Sequence, residues 1–179
     1  VGQHQMWTAQ FYPFTKPRTF VTSGGLGTMG YGTGAAMGIQ VGNPKARVVH
    51  IAGDGSFRMN CNELSTIGYY NLPLVIVVEN NNALGNVRMW QCLFYGKRFS
   101  QTTLDRGPDW VKLADAYGIK GYRATNSKEF EKVFGLYAQV CFTSAEGIRY
   151  YTLGSYDDKT LASLNEECEK DGCKKGVWK

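Results

Sequence analysis

The sequence predicts an α/β fold: a parallel sheet with helices on both faces. Three observations lead there. Two strand-like runs, residues 47–52 and 73–78, are apolar along most of their length rather than alternating, as strands covered on both sides are. Residues 62–70 between them are long enough for a crossover helix, which a parallel pair requires. The order strand, helix, strand then continues along the chain, which argues for α/β rather than segregated layers.

Taken in order, residues 1–18 mix glutamine, aromatics and two prolines, with a short helix over residues 5–11. Residues 19–22, Thr-Phe-Val-Thr, read as a short strand. Residues 23–34 are glycine-rich and feed a small-residue helix over residues 35–40, which Asn43-Pro44 ends. After the two strands, residues 86–95 form a helix with Trp90 on one face, and residues 100–108 form a polar loop. Residues 109–118 read as a helix capped by Asp109 and stopped by Gly118. Residues 119–124 make a strand, and residues 127–134 a helix opening on a Ser127 N-cap. Residues 137–142 have the composition of a further strand.

The 179 residues suit one domain, and 43% hydrophobic content is enough for a core. The net charge of +5 suits an anionic small ligand; residues 135–179 carry six Lys/Arg against seven Asp/Glu, so the excess lies upstream. With no basic stripe interleaved with aromatics, nucleic acid is not an expected partner. No apolar run approaches 18 residues, so no membrane partner is expected either. The chain does not begin with Met, shows no signal peptide, and starts like the interior of a longer protein. Five cysteines, an odd and scattered set, fit reduced thiols and a cytoplasmic location. Cys168 and Cys173 alone make a poor metal pair.

The chemistry concentrates at the ends of the first two strands. Gly53-Asp54-Gly55-Ser56 closes one, and Glu79-Asn80-Asn81-Asn82 follows the other, with 26 residues between Asp54 and Asn81. A right-handed βαβ unit sets both tips side by side on the sheet edge where open α/β sheets bind ligands. A carboxylate and an amide oxygen there suit Mg²⁺, which takes few protein ligands and completes its octahedron with water and phosphate oxygens. On local grounds alone Asp54 is as good a helix N-cap and Asn81 as good a turn residue; their joint spacing favours the metal. Gly25-Leu26-Gly27-Thr28-Met29-Gly30 also matches the dinucleotide pattern. It is set aside, because Asp54 sits inside Gly-Asp-Gly-Ser rather than ending its strand alone.

The Gly-Asp-Gly…Asn-Asn pattern resembles the thiamine-diphosphate fingerprint. Gly2-Gln3-His4-Gln5-Met6-Trp7, Ser23-Gly24-Gly25-Leu26-Gly27-Thr28-Met29-Gly30-Tyr31-Gly32, Met59-Asn60 with Glu63-Leu64, and Val87-Arg88-Met89-Trp90-Gln91 are similar to the catalytic subunit of acetolactate synthase, also called acetohydroxyacid synthase. The resemblance covers residues 1–134, taken as a partial thiamine-diphosphate- and Mg-binding domain, the family's third. It implies thiamine diphosphate and Mg²⁺ as cofactors, with Asp54, Asn81 and the Ala83 carbonyl as metal ligands. It implies Gln3, His4, Gly55 and Ser56 at the diphosphate, the last two through backbone N–H groups at the start of the crossover helix. It places Gly27, Thr28 and Met29 at the aminopyrimidine, Met29 wedged under the bend between the two rings. Asn82, Leu84, Gly85 and Asn86 complete the cofactor set. Met59 and Trp90 fall in the substrate channel, Trp90 selecting the second 2-oxo acid. Read without the resemblance, Met29 and Trp90 are core residues and His4 a surface histidine.

The reaction so implied condenses two pyruvates, or pyruvate and 2-oxobutyrate, with loss of CO₂, in branched-chain amino-acid synthesis. The whole protein would carry FAD in its middle domain and form a homo-oligomer, with a regulatory small subunit as a further partner. The glutamate that protonates the pyrimidine ring belongs to the family's first domain, outside this sequence, so no catalytic residue is expected here and turnover by the chain alone should be negligible. The nearest rivals are another thiamine-diphosphate 2-oxo-acid decarboxylase or carboligase, and a non-catalytic cofactor-binding module. Thr33-Gly34, His50, Ala52 and Asn86 depart from the family pattern; the first change is expected to loosen a helix start, and Asn86 to set a polar amide in an apolar wall. From Gly135 the resemblance stops, and residues 135–179 read as a divergent tail, weakly helical or poorly packed, from a shifted reading frame or a chimeric end. The strand that precedes Gly2 in the family is missing, which should leave a sheet edge open.

Overall fold

A computed structural model describes residues 1–135 and the strand at residues 140–143. The first helix is α1, Gln3–Phe11, and the second is α2, Tyr31–Gly42. Strand β1, Val49–Gly53, runs into α3, Asp54–Met59; a 3₁₀ turn at Cys61–Glu63 and α4, Leu64–Tyr69, complete the crossover to β2, Val75–Glu79. Then follow α5, Gly85–Phe94, α6, Trp110–Ala116, β3, Gly121–Ala124, α7, Ser127–Gly135, and β4, Val140–Thr143. The four strands are all parallel, in the order β1-β2-β4-β3. Residues 19–22 are not a strand: they lie in irregular chain. Of the segment expected to be a divergent tail, β4 pairs with both β2 and β3; the rest of that expectation lies outside the described residues.

The core follows from the period of two along β2. Ile76 and Val78 face a large cluster with Ala36, Ala52, Phe57, Leu64, Ile67, Trp110, Ala114 and Ile119, which seats α2, α3, α4 and α6 on one face. Val77, with Val75 beside it, faces the other way against Ala124, Phe130 and Val133, which seats α7. Phe57 packs edge-on against Trp110 with centroids 5.5 Å apart. Asp109 caps α6, accepting from the N–H groups of Val111 at 3.1 Å and Lys112 at 3.3 Å. At α7 the cap is Asn126, not Ser127: its Oδ1 accepts from Glu129 N–H at 3.0 Å, while the Glu129 carboxylate accepts from Thr125 N–H at 2.8 Å.

Two departures from the expected pattern meet in space. Thr33 does not loosen α2, which begins two residues earlier at Tyr31; the buried Thr33 Oγ1 lies 3.2 Å from Nε2 of the buried His50 on β1. Any side chain at Gly32 would overlap the same imidazole. Burial, then the chain's amino group, pushes His50 from its usual 6.5 down to about 4. The unfolded chain takes up that proton near pH 6.5 and the folded chain resists until about 4. The stability this site contributes is therefore complete above pH 6.5 and lost as pH falls to 4. Because His4, Asp54 and Glu79 are shifted in the same range, the His50 share, about 3 kcal/mol over this window, should appear as the difference in the pH dependence of urea unfolding between the unmodified chain and His50→Leu.

Candidate functional site

Parallel pairing with register Gly53↔Glu79 brings the carboxyl ends of β1 and β2 together, so Asp54 and Asn81 leave the same edge of the sheet. They line one open cleft at that edge. Its wall also includes Gln3, His4, Met29, Gly55, Ser56, Ala83, Leu84, Gly85 and Asn86.

Asp54 is the first residue of α3 and is 1% exposed. Among the described residues neither carboxylate oxygen makes a hydrogen bond of good geometry, though the backbone N–H groups of Gly55 and Asn81 lie close by. Burial pushes its pKa up to about 6, although the nearby Gly55 N–H and the Arg58 charge pull the other way. The loop after β2 is held more tightly. Asn81 Oδ1 accepts from Ala83 N–H at 3.0 Å, and Asn81 Nδ2 donates to Gln3 Oε1 at 3.4 Å. Asn82 takes a left-handed conformation, φ 53°. A strap at residues 102–104 pins the loop from outside: Leu84 N–H donates to Thr102 O at 2.9 Å and Leu104 N–H to Asn82 O at 2.7 Å. Gly85 has no room for a side chain, since a Cβ would overlap Gln3 and come within 2.8 Å of Asn81 Nδ2. This close approach lets the starts of α1 and α5 meet over the cleft.

His4 is buried with its ring against Gly53, where a Cβ would come 2.9 Å from Nδ1. Burial, the chain's amino group and His50 together push it down to about 3, so at neutral pH it offers a hydrogen bond and no charge. Among the described residues the wall contains no Lys or Arg side chain. Asn86 places an amide oxygen in the wall that is buried without a partner. The expected crossover helix is broken in two: α3 spans only six residues, ending at Met59 before the 3₁₀ turn, so its start contributes free N–H groups rather than the dipole of a long helix.

Other expected residues lie outside the cleft wall. Thr28 is exposed, its N–H donating to Ser23 Oγ at 3.0 Å. Gly27 sits beside Val1, which does line the cleft. Asn82 is exposed on the back of its loop. Met59 is 57% exposed, and Trp90 is 54% exposed one turn beyond Asn86 on α5. The cleft adds residues that sequence reasoning passed over, Trp7, Val87 and Glu79. Burial pushes the Glu79 carboxyl up to about 7. Its place as the last residue of β2, one strand across from Gly53, was the available signal.

Residues 1–139 match the family described as thiamine pyrophosphate enzyme, C-terminal TPP binding domain. The chain is 53% identical over 131 residues to the acetolactate synthase isozyme 2 large subunit of Escherichia coli K12, covering 73% of this chain and 24% of that one. It is 48% identical over 132 residues to a probable acetolactate synthase large subunit of Methanococcus aeolicus, covering 74% of this chain and 22% of that one. The chain thus spans about a quarter of the length of these relatives. Among solved structures it is similar to a thiamine diphosphate-dependent 4-hydroxybenzoylformate decarboxylase of Rhodococcus jostii RHA1, with a TM-score of 0.58 and 28% identity over 65% of this chain and 22% of that one.

Proposed function

This chain belongs to the thiamine pyrophosphate enzymes, as their C-terminal TPP-binding domain, and from that premise we propose that it holds the Mg²⁺–diphosphate end of the cofactor within an acetolactate synthase large subunit. The observation that carries the metal is the buried Asp54 carboxylate, poorly satisfied at both oxygens, in a cleft whose described residues include no Lys or Arg. A buried carboxylate whose nearby Arg58 charge does not offset its burial is costly, and a diphosphate brought beside it would be worse; a divalent ion between them answers both. Among the described residues no three His, Cys, Asp or Glu side chains gather as metal ligands, so the ion would rest on few protein atoms. Asp54 and Asn81 would supply side-chain oxygens and Ala83 its carbonyl. Gly55 and Ser56 N–H groups, Gln3 and neutral His4 would hydrogen-bond the diphosphate, and Met29, Leu84 and Asn86 would wall the rings, with Gly27 and Thr28 at the pyrimidine.

When bound, thiamine diphosphate supplies a nucleophilic carbon and an electron sink for breaking and making carbon–carbon bonds beside a carbonyl. The whole protein would use it to join two pyruvates, or pyruvate and 2-oxobutyrate, with loss of CO₂. FAD, a homo-oligomer and a regulatory small subunit belong to the same proposal, as does Trp90 at the acceptor's approach. The likeness to a decarboxylase favours a second reading, a 2-oxo-acid decarboxylase, which the much closer identity to the synthases outweighs. Among the described residues no helix is long and apolar enough to cross a membrane.

Calorimetry on the purified chain tests the site. Thiamine diphosphate should bind in the presence of Mg²⁺ and lose at least about a hundredfold in affinity when EDTA removes the ion, the scale expected when a charged group loses its counter-ion. Equal binding with and without the metal would refute the proposed ligand set.

A further inference from the structure

The cofactor reading divides the cleft into two halves that are distant in sequence. Asp54 sits at the metal end, and Met29, carried by the glycine-rich loop, sits at the ring end. Something must hold the two at a fixed separation, because an ångström of misplacement at a reacting centre costs about a hundredfold in rate.

Gly30 joins Met29 to α2 in a left-handed conformation, φ 83°. Both of its backbone groups are held by side chains from α3 and its C-terminal cap. Gly30 N–H donates to Ser56 Oγ at 3.0 Å, in a buried bond, and Asn60 Nδ2 donates to Gly30 O at 3.1 Å. The contact is close enough that a Cβ on Gly30 would stand 2.9 Å from Met59 Cβ and 3.3 Å from Asn60 Nδ2. Asn60 is itself fixed: its N–H donates to Phe57 O at 3.2 Å, and its carbonyl accepts from Glu63 N–H at 3.1 Å. Phe57, in the same helix, is wedged against Trp110 in the core.

One short rigid element therefore carries the metal-end carboxylate at its first residue and a two-point clasp on the ring loop at its third residue and its C-terminal cap. The span from Asp54 to Asn60 is roughly 9 Å along the helix axis. We infer that Asn60, with the Ser56 hydroxyl, is a positioning residue that sets the ring-supporting loop at a fixed distance from the metal end. This rests on the thiamine-diphosphate reading of the cleft. Neither side chain need touch the cofactor rings to do this.

The test uses the 179-residue chain, saturating Mg²⁺ and two probes, inorganic pyrophosphate and thiamine diphosphate. Pyrophosphate reports the metal half alone, and the extra affinity of thiamine diphosphate reports the ring half. Asn60→Asp keeps the side-chain shape and removes the donor; Asn60→Ala removes the donor without adding a charge. Each should leave pyrophosphate affinity within about twofold and weaken thiamine diphosphate about tenfold, the scale of one lost buried hydrogen bond. Equal weakening of both probes would mean that the clasp only supports the fold, and no weakening of either would mean that the loop holds itself; both results overturn the proposal. Should the unmodified chain bind thiamine diphosphate no better than pyrophosphate, the cofactor reading fails first and takes the clasp with it.

Discussion

Asp54→Asn should abolish Mg²⁺-dependent binding of thiamine diphosphate and make the unliganded chain more stable. Asp54 is 1% exposed, and among the described residues neither carboxylate oxygen makes a hydrogen bond of good geometry. The fold tolerates a buried anion there at a net cost, because nothing around it supplies enough positive charge. The amide has nearly the same shape and no charge, so the substitution relieves the cost without opening a cavity. A gain of about 1–2 kcal/mol is expected, smaller than the full penalty because the amide is also unpaired. That corresponds to roughly 2–8 °C in Tm for a chain of this size. The same change removes the anionic metal ligand, so the shift in Tm that Mg²⁺ and thiamine diphosphate give the unmodified chain should vanish. Melting curves with and without both ligands read the two effects at once. A variant that melts lower than the parent would mean that the carboxylate is satisfied in solution, and its role as metal ligand would fall with that result.

Phe57→Ala should be the most damaging single truncation. Phe57 is 1% exposed, lies at the junction of α3 with the main core cluster, and packs edge-on against Trp110. Removing a buried ring of this kind costs about 3–5 kcal/mol, a large share of the roughly 5–15 kcal/mol that a domain has in total. The urea midpoint should fall sharply with little change in slope. Binding should fail with it, because α3 carries Asp54, Gly55 and Ser56. Saturating Mg²⁺ and thiamine diphosphate should restore part of the lost stability by mass action. That partial rescue separates a weakened scaffold from a destroyed site, and its absence at high ligand would mean that the site no longer forms.

The part of the site readable from sequence is the part set by strand ends. Asp54 and Asn81 could be paired because two buried parallel strands fix where their tips lie, and the structure does bring both to one cleft. The strand expected at residues 19–22 does not form, since β-branched composition in a short segment carries little weight without a neighbouring strand to pair with. The division of the crossover into α3, a 3₁₀ turn and α4 was missed for a related reason: Asn60 and Cys61 show no strong breaker, and the bend serves a contact with Gly30 some thirty residues upstream. Thr33 and His50 looked like two unrelated departures, and only folding shows them as one hydrogen-bonded pair. Asn126 and Ser127 are both good caps, so the choice between them turned on the Glu129 side chain reaching back to Thr125.

The order β1-β2-β4-β3 also bears on how the domain is made. Its penultimate position is filled by the strand translated last of the four. Until residues 140–143 emerge from the ribosome, β2 and β3 cannot be bridged, and one flank of β2 stays bare with its backbone groups unpaired. The nascent chain therefore carries a sticky apolar ribbon from the emergence of β2 until that of β4, and chaperone capture or clumping should be greatest for ribosome-bound lengths just short of that strand.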